Sequence, residues 1–262
     1  MELAGKVAIV TGSGGPGSGR AVARRMAQSG ASVVVNDIDE RGGWETVELI
    51  LKEGGRASFL DADVGVESEA RGLVAFAENT YGGLDVLVNN ASAPYRPADP
   101  LGHWFEAVQV DLLGAMYATL AGISAMERRG GGAIVNIGST SAMGHGKKHS
   151  GSPAYDVAKA GVTRLTTTLG WLADRYRIRV NCLVPDWVAT PEVKSYFDAL
   201  TPQERKEKGV PAVLTTLEEV ADTVVMLATD ESLAGRVVVW WSGEPRGIIP
   251  RGDPGYTRLD PL

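Results

Sequence analysis

Tyr155-Asp156-Val157-Ala158-Lys159 sets a phenol and an amine four residues apart, one turn along a single face if the segment is helical. A neighbouring ammonium favours phenolate, drawing a tyrosine down from its ordinary pKa of about 10. Such a tyrosine can take a proton from an alcohol as hydride leaves, or return one to a ketone. The spacing alone carries little, because many helices hold it by chance. Its setting adds weight: upstream, Asn136-Ile137-Gly138-Ser139 ends an apolar run with a hydroxyl at its tip. A second stretch is Thr11-Gly12-Ser13-Gly14-Gly15-Pro16-Gly17-Ser18-Gly19, lying between an apolar run and a helical pattern. Glycines there permit a sharp turn, bring backbone N–H groups to a pyrophosphate and allow close helix–strand packing. The following apolar run ends Asn36-Asp37. A carboxylate at that tip suits a ribose diol and repels a 2′-phosphate, so NAD is favoured over NADP.

These groups need a scaffold, and the chain alternates accordingly. β-branched runs at Val7–Val10, Ser32–Asn36, Val86–Asn89, Ala133–Ile137, Arg179–Leu183 and Val237–Trp241, with a weaker one at Arg56–Leu60, alternate with helical patterns. The patterns cover Arg20–Ser29, Trp44–Glu53, Glu69–Tyr81, Trp104–Arg128, Tyr155–Tyr176 and Leu217–Thr229. Near-continuous apolar strands between helices predict an α/β fold: a Rossmann-like, doubly wound, seven-stranded, mostly parallel sheet with helices on both faces. One domain is expected over residues 1–243, followed by a proline-rich extended tail over 244–262. Segments 143–153 and 190–216 interrupt the rhythm after strand ends, where open α/β sheets bind ligands, and are candidate substrate loops.

The 262 residues carry 26 Lys+Arg against 32 Asp+Glu, a net charge of −6. That balance offers no footprint for nucleic acid or an anionic membrane. With 44% hydrophobic and 22% charged residues, the composition is that of a globular protein with a sizeable core. The single cysteine, Cys182, excludes a disulfide framework and reads as a buried apolar residue. His145 and His149 lie among glycines without a neighbouring carboxylate, so no metal is expected. No long apolar span or signal-like start is evident, and a cytoplasmic location is the expectation.

From about Gly5 to Gly243 the chain resembles the short-chain dehydrogenase/reductase family. Its Thr11-Gly12…Gly17-x-Gly19 is similar to Thr-Gly-x-x-x-Gly-x-Gly with one inserted residue, and Asn89-Asn90-Ala91-Ser92 resembles Asn-Asn-Ala-Gly. Asn181…Pro185-Asp186…Thr190 resembles Asn-x-x-x-Pro-Gly-x-x-x-Thr, with Asp186 in place of glycine. Asp111-Leu112-Leu113-Gly114 resembles Asn-Leu-x-Gly, with Asp111 in place of an Asn that links the lysine to a water relay and eases a helix kink. The resemblance implies that Tyr155 is the general acid/base, that Lys159 tunes it and binds the nicotinamide ribose, and that Ser139 holds the substrate oxygen. It implies cofactor contacts from Gly12, Ser13, Gly17, Ser18, Gly19, Asp37, Asp63, Val64, Asn90, Ala91, Pro185, Val188 and Thr190. The expected activity is interconversion of a secondary alcohol and a ketone with NAD(H), on a small molecule, in a homotetramer or homodimer. Asp111 leaves two readings open: a working relay with a shifted pH response, or neutralisation of Lys159 in a weak enzyme or non-catalytic NAD(H) sensor or scaffold. An NADP-dependent ketoreductase acting on carrier-bound acyl chains is the remaining alternative. Trp187, Tyr196 and Phe197 suggest a partly aromatic pocket.

Overall fold

The computed structural model describes residues 2–94, 103–143 and 152–252. Seven parallel strands, β1 (Val7–Thr11), β2 (Ser32–Asp37), β3 (Arg56–Asp61), β4 (Val86–Asn89), β5 (Gly132–Ile137), β6 (Ile178–Pro185) and β7 (Val237–Trp240), form one sheet. A short β8 (Gly247–Ile248) completes it, and the strand order is β3-β2-β1-β4-β5-β6-β7-β8. The sheet therefore has eight strands. Part of the tail expected to run extended over a surface instead pairs antiparallel with β7, as Val238 with Ile248 and Val239 with Gly247. Pro245 and Pro250 flank this strand, and a residue without an N–H cannot extend its ladder.

The helices are α1 (Ser18–Gln28), α2 (Glu40–Lys52), α3 (Glu67–Tyr81), α4 (Trp104–Ala107), α5 (Ala115–Arg129), α6 (Pro153–Thr168), α7 (Leu172–Tyr176), α8 (Pro191–Asp198), α9 (Pro202–Lys208) and α10 (Leu217–Thr229). Alternate residues of β1 enter opposite cores. Ala8 and Val10 pack with Val22 and Met26 of α1 and Val224 of α10. Val7 and Ile9 pack with Leu73 of α3 and Ala118 of α5. A period of two on a sheet covered on both faces explains why these strands read as unbroken apolar runs.

Two stretches expected as single helices are interrupted. Between α4 and α5 the chain widens into a π-helical turn, Val108–Gly114, with Asp111 buried inside it. Such turns are rare, occur mostly as single-turn bulges within α-helices, and are frequent at functional sites. By length and composition the combined helix from Trp104 to Arg129 would suffice to cross a membrane, which the sequence reading had excluded. Its small residues Ala115, Ala118, Gly122 and Ala125 are buried within the fold. The helix after β5 ends at Thr168, and α7 restarts at Leu172. In the excursion before the last helix, Pro191 and Pro202 occupy helix starts behind Thr190 and Thr201 caps.

Candidate functional site

Strand order reverses between β1 and β4, and their C-terminal ends open the crevice where ligands bind in such sheets. At this switch point the Thr11 hydroxyl accepts from the backbone N–H groups of Asn90 and Ala91, both at 3.0 Å. Asn90 donates its amide to the carbonyls of Thr11 (3.0 Å) and Gly12 (2.9 Å), and its oxygen accepts from Ser18 (2.9 Å). The side chains of Asn90 and Ser18 thus brace the glycine loop. Ser13 also turns inward, donating to the Val10 carbonyl at 2.8 Å and accepting from the Asn36 N–H at 3.2 Å.

Glycine is required here for specific reasons. Gly12 has φ +62°, and a Cβ on it would lie 2.6 Å from Ala91 Cα. A Cβ on Gly19 would stand 2.1 Å from the Gly12 carbonyl oxygen, so α1 could not approach β1. Gly17 differs: its nearest neighbour would be Thr190 Cγ2 at 3.9 Å. A Cβ at Gly17 would thus rest in ordinary van der Waals contact with Thr190, so the glycine loop and the segment after β6 lie side by side. The loop's backbone leads into the N-terminus of α1, the arrangement that suits a dinucleotide's phosphates.

The inserted part of the loop is fastened down. Gly14 N–H donates to Asp37 Oδ2 at 2.7 Å, while Asp39 N–H donates to Asp37 Oδ1 at 3.1 Å. On the other side, the Arg20 guanidinium hydrogen-bonds the Gly14 carbonyl, and its Nε donates to Thr46 Oγ1 at 2.8 Å. Thr46 in turn donates to the Ser13 carbonyl at 2.8 Å. Asp37 is thus a loop anchor as well as a strand-tip carboxylate. Asp63 likewise serves its own loop, its Oδ1 accepting from Gly65 N–H at 2.8 Å, with Val64 buried beside it.

On the other side of the switch point, α6 carries Tyr155 and Lys159. Ser152 caps this helix, accepting from the Tyr155 N–H. Lys159 Nζ lies 5.4 Å from the Tyr155 ring centroid and donates to the Ile137 carbonyl at 3.1 Å, two residues before Ser139. It also meets Asp111 Oδ1 at 3.1 Å, with both side chains buried. Burial pushes the Lys159 pKa down, but the negative charges of Asp111 and of the Tyr155 oxygen once ionised outweigh it and leave the ammonium above its ordinary value. Asp111 is well supplied with donors: Ser92 Oγ reaches Oδ1 at 2.6 Å and Ala93 N–H reaches Oδ2 at 2.9 Å. Cys182 lies within β6, where burial raises its thiol to about 11. It is an apolar filler, as the sequence implied.

Past β6, Val188 bridges to Thr215, and Thr190 caps α8 by accepting from Val193 N–H at 3.4 Å. Trp187 stacks on Tyr196 with ring centroids 6.1 Å apart and planes 19° apart.

Comparison with known proteins agrees with this geometry. Residues 15–238 match a family model described as enoyl-(acyl carrier protein) reductase. An uncharacterized oxidoreductase of Thermotoga maritima is 35% identical over 87% of this chain and 90% of its own length. The chain belongs to the short-chain dehydrogenase/reductase family. It is an oxidoreductase of that family. Cis-4-hydroxycyclohexanecarboxylate dehydrogenase of Sinomonas cyclohexanicum is 34% identical, with 98% of both chains covered. Among solved structures, a 7α-hydroxysteroid dehydrogenase complexed with NADH and 7-oxo glycochenodeoxycholic acid superposes with a TM-score of 0.81. That match is 29% identical and covers 92% of this chain and 94% of the other.

The structure brings Tyr155, Lys159, Asp111 and the β5 tip before Ser139 to one end of the sheet, with the glycine loop across the crevice. Pro185 ends β6 beside them. His145, His149 and most of the 143–153 loop lie outside the described residues. Sequence reading missed the partners of the unusual positions: Ser92 for Asp111, Arg20 and Thr46 for the inserted loop, and Thr140 and Ser242 for Asp186. A signal existed for the first, since Ser92 and Asp111 both depart from the family pattern and touch each other.

Proposed function

We propose that this oxidoreductase interconverts a secondary alcohol and a ketone with NAD(H), using Tyr155 as general acid/base. The observation that carries the reading is the buried Lys159 ammonium, held by Asp111 and the Ile137 carbonyl beside Tyr155. Gly12, Gly17, Gly19, Asn90, Ala91, Val188 and Thr190 would line the dinucleotide site, with Asp37 at the ribose end. A nicotinamide bound there would supply the hydride acceptor or donor. Tyr155 then takes the hydroxyl proton during oxidation and returns it during reduction, while Ser139 holds the substrate oxygen. Trp187 stacked on Tyr196 offers a flat apolar wall. That wall, and relatives named for a cyclohexane and a steroid alcohol, support a ring-bearing secondary alcohol as substrate.

The Asp111–Lys159 pair supports one rival, a non-catalytic NAD(H) sensor in which the carboxylate neutralises the lysine. Thermal melts without nucleotide, with saturating NADH and with saturating NADPH test the first step, because selective binding to the native state raises the midpoint. A shift with NADH alone supports the cofactor reading, and no shift with either defeats it. Turnover of cyclic secondary alcohols by the wild type, with loss of at least about a hundredfold in Tyr155→Phe, is the expected second result. NADH binding without turnover would favour the sensor.

A further inference from the structure

At the end of β6 the family pattern has glycine, and here Asp186 extends a carboxylate across three strand ends. Its Oδ1 accepts from Thr140 Oγ1 at 2.8 Å, and its Oδ2 accepts from Ser242 N–H at 3.3 Å. Its own N–H donates to the Trp240 carbonyl at 3.0 Å. Thr140 is buried and directly follows Ser139 at the tip of β5. Ser242 follows β7, and its hydroxyl accepts from the Trp187 N–H at 3.1 Å. One side chain therefore connects the turn that carries Ser139 to the backbone that carries Trp187. The Ser139 hydroxyl is otherwise engaged within its own turn, accepting from the N–H of Ser141 at 3.3 Å and its hydroxyl at 3.0 Å. Nothing in that local pairing orients the turn against the rest of the site; the Thr140–Asp186 bond does.

We propose that Asp186 is a positioning residue that locks the Ser139 turn to the Trp187 wall, so that the group holding the substrate oxygen and the surface holding the substrate body keep a fixed separation. A glycine could make neither bond. The carboxylate is suited to the task because it accepts at both oxygens, with a hydroxyl on one side and an amide on the other. Displacements of the order of an ångström between such groups can cost about a hundredfold in rate. The proposal rests on the dehydrogenase reading for its catalytic consequence, while the clamp itself can be read without cofactor.

Thr140→Val removes one hydroxyl at nearly constant shape, and Asp186→Gly removes both bonds. With a cyclic alcohol as substrate, each should lower kcat about tenfold or more, leave the KM for NAD unchanged, and Thr140→Ser should recover the loss. The double variant should be no worse than Asp186→Gly, since the two act through one bond. Unchanged kcat in Thr140→Val, or multiplicative losses in the double variant, would overturn the proposal. Hydrogen exchange of the cofactor-free protein supplies the second readout. Asp186→Gly should speed amide exchange together at Ser141–Met143 and at Trp187 and Ser242. Faster exchange confined to one of these segments would mean that no clamp joins them. A coupled exchange response in a protein with no dehydrogenase activity would retain the clamp and remove the proposed function.

Discussion

Asp111 brings a negative charge into the interior, and its surroundings decide what that charge does. Two donors, Ser92 Oγ and Ala93 N–H, and the Lys159 ammonium converge on one buried carboxylate. Removing one partner of such a pair leaves the other charge uncompensated, a loss of about 3–5 kcal/mol. Asp111→Asn should therefore be destabilised at pH 7 by about 3 kcal/mol or more. The pH dependence follows from the direction of the Lys159 shift. A lysine whose folded pKa is raised contributes stability that is fully present below its ordinary value of 10.5 and is lost as pH rises through the raised value. In Asp111→Asn burial is no longer opposed by a full negative charge, so that loss moves to lower pH. Urea unfolding from pH 7 to 11 should show the wild type keeping its stability to higher pH than the variant. Parallel profiles would mean that Asp111 does not set the charge of Lys159.

Between elements, buried amides link the central strands to the helix bearing Tyr155 and Lys159. Asn89 of β4 donates to Asn136 Oδ1 of β5 at 2.8 Å, and Asn136 donates to Thr166 Oγ1 of α6 at 2.9 Å. Asn136→Ala removes both bonds, leaving the Asn89 amide to Thr119 Oγ1 at 3.0 Å and the Ala115 carbonyl at 3.5 Å, and two lost hydrogen bonds cost about 1–3 kcal/mol. It should also loosen α6, so the Asn136→Ala protein should lose urea stability and show faster exchange along Pro153–Thr168. Unchanged exchange there would confine the network to the sheet. The same scale shows what the sequence made legible. The central strands were readable because they are buried on both faces and therefore continuously apolar, whereas the edge strand β3, with only Phe59 buried, gave a weaker run. Tyr155, Lys159 and the glycine loop were readable because their spacing is tied to local geometry. The π turn at Val108–Gly114 was not, because its residues, Val-Gln-Val-Asp-Leu-Leu-Gly, carry no capping or breaking signal that separates a widened turn from a continuous α-helix. The two-residue β8 is too short to alternate. The anchoring of Asp37 to Gly14, 23 residues away, depends on how the inserted loop folds back, which composition and period do not encode.

On the whole molecule, β3 is one edge of the sheet, and the edge of β7 is covered by the chain's own β8. A two-fold contact made by pairing β7 edges would first have to displace that strand. The helical side differs: Phe105 is 86% exposed, Leu120 63%, Val157 51% and Trp171 51%, on or beside α4, α5 and α6. Large apolar side chains gathered on neighbouring helices mark association surfaces, and a two-fold interface presents the same residues from both copies. Burying each is worth about 1.5–3 kcal/mol, and doubling by symmetry gives a total comparable with the entropic cost of association, about 4–15 kcal/mol. The expected assembly is therefore a homodimer through the helices rather than a tetramer that also uses the β7 edge. Sedimentation at micromolar concentration should show a dimer for the wild type and for Ile248→Asp, but monomer for Leu120→Glu, because a charge cannot be buried there without a partner. Dissociation by Ile248→Asp with Leu120→Glu still dimeric would place the contact at the strand edge instead, and would require β8 to move aside when two copies meet.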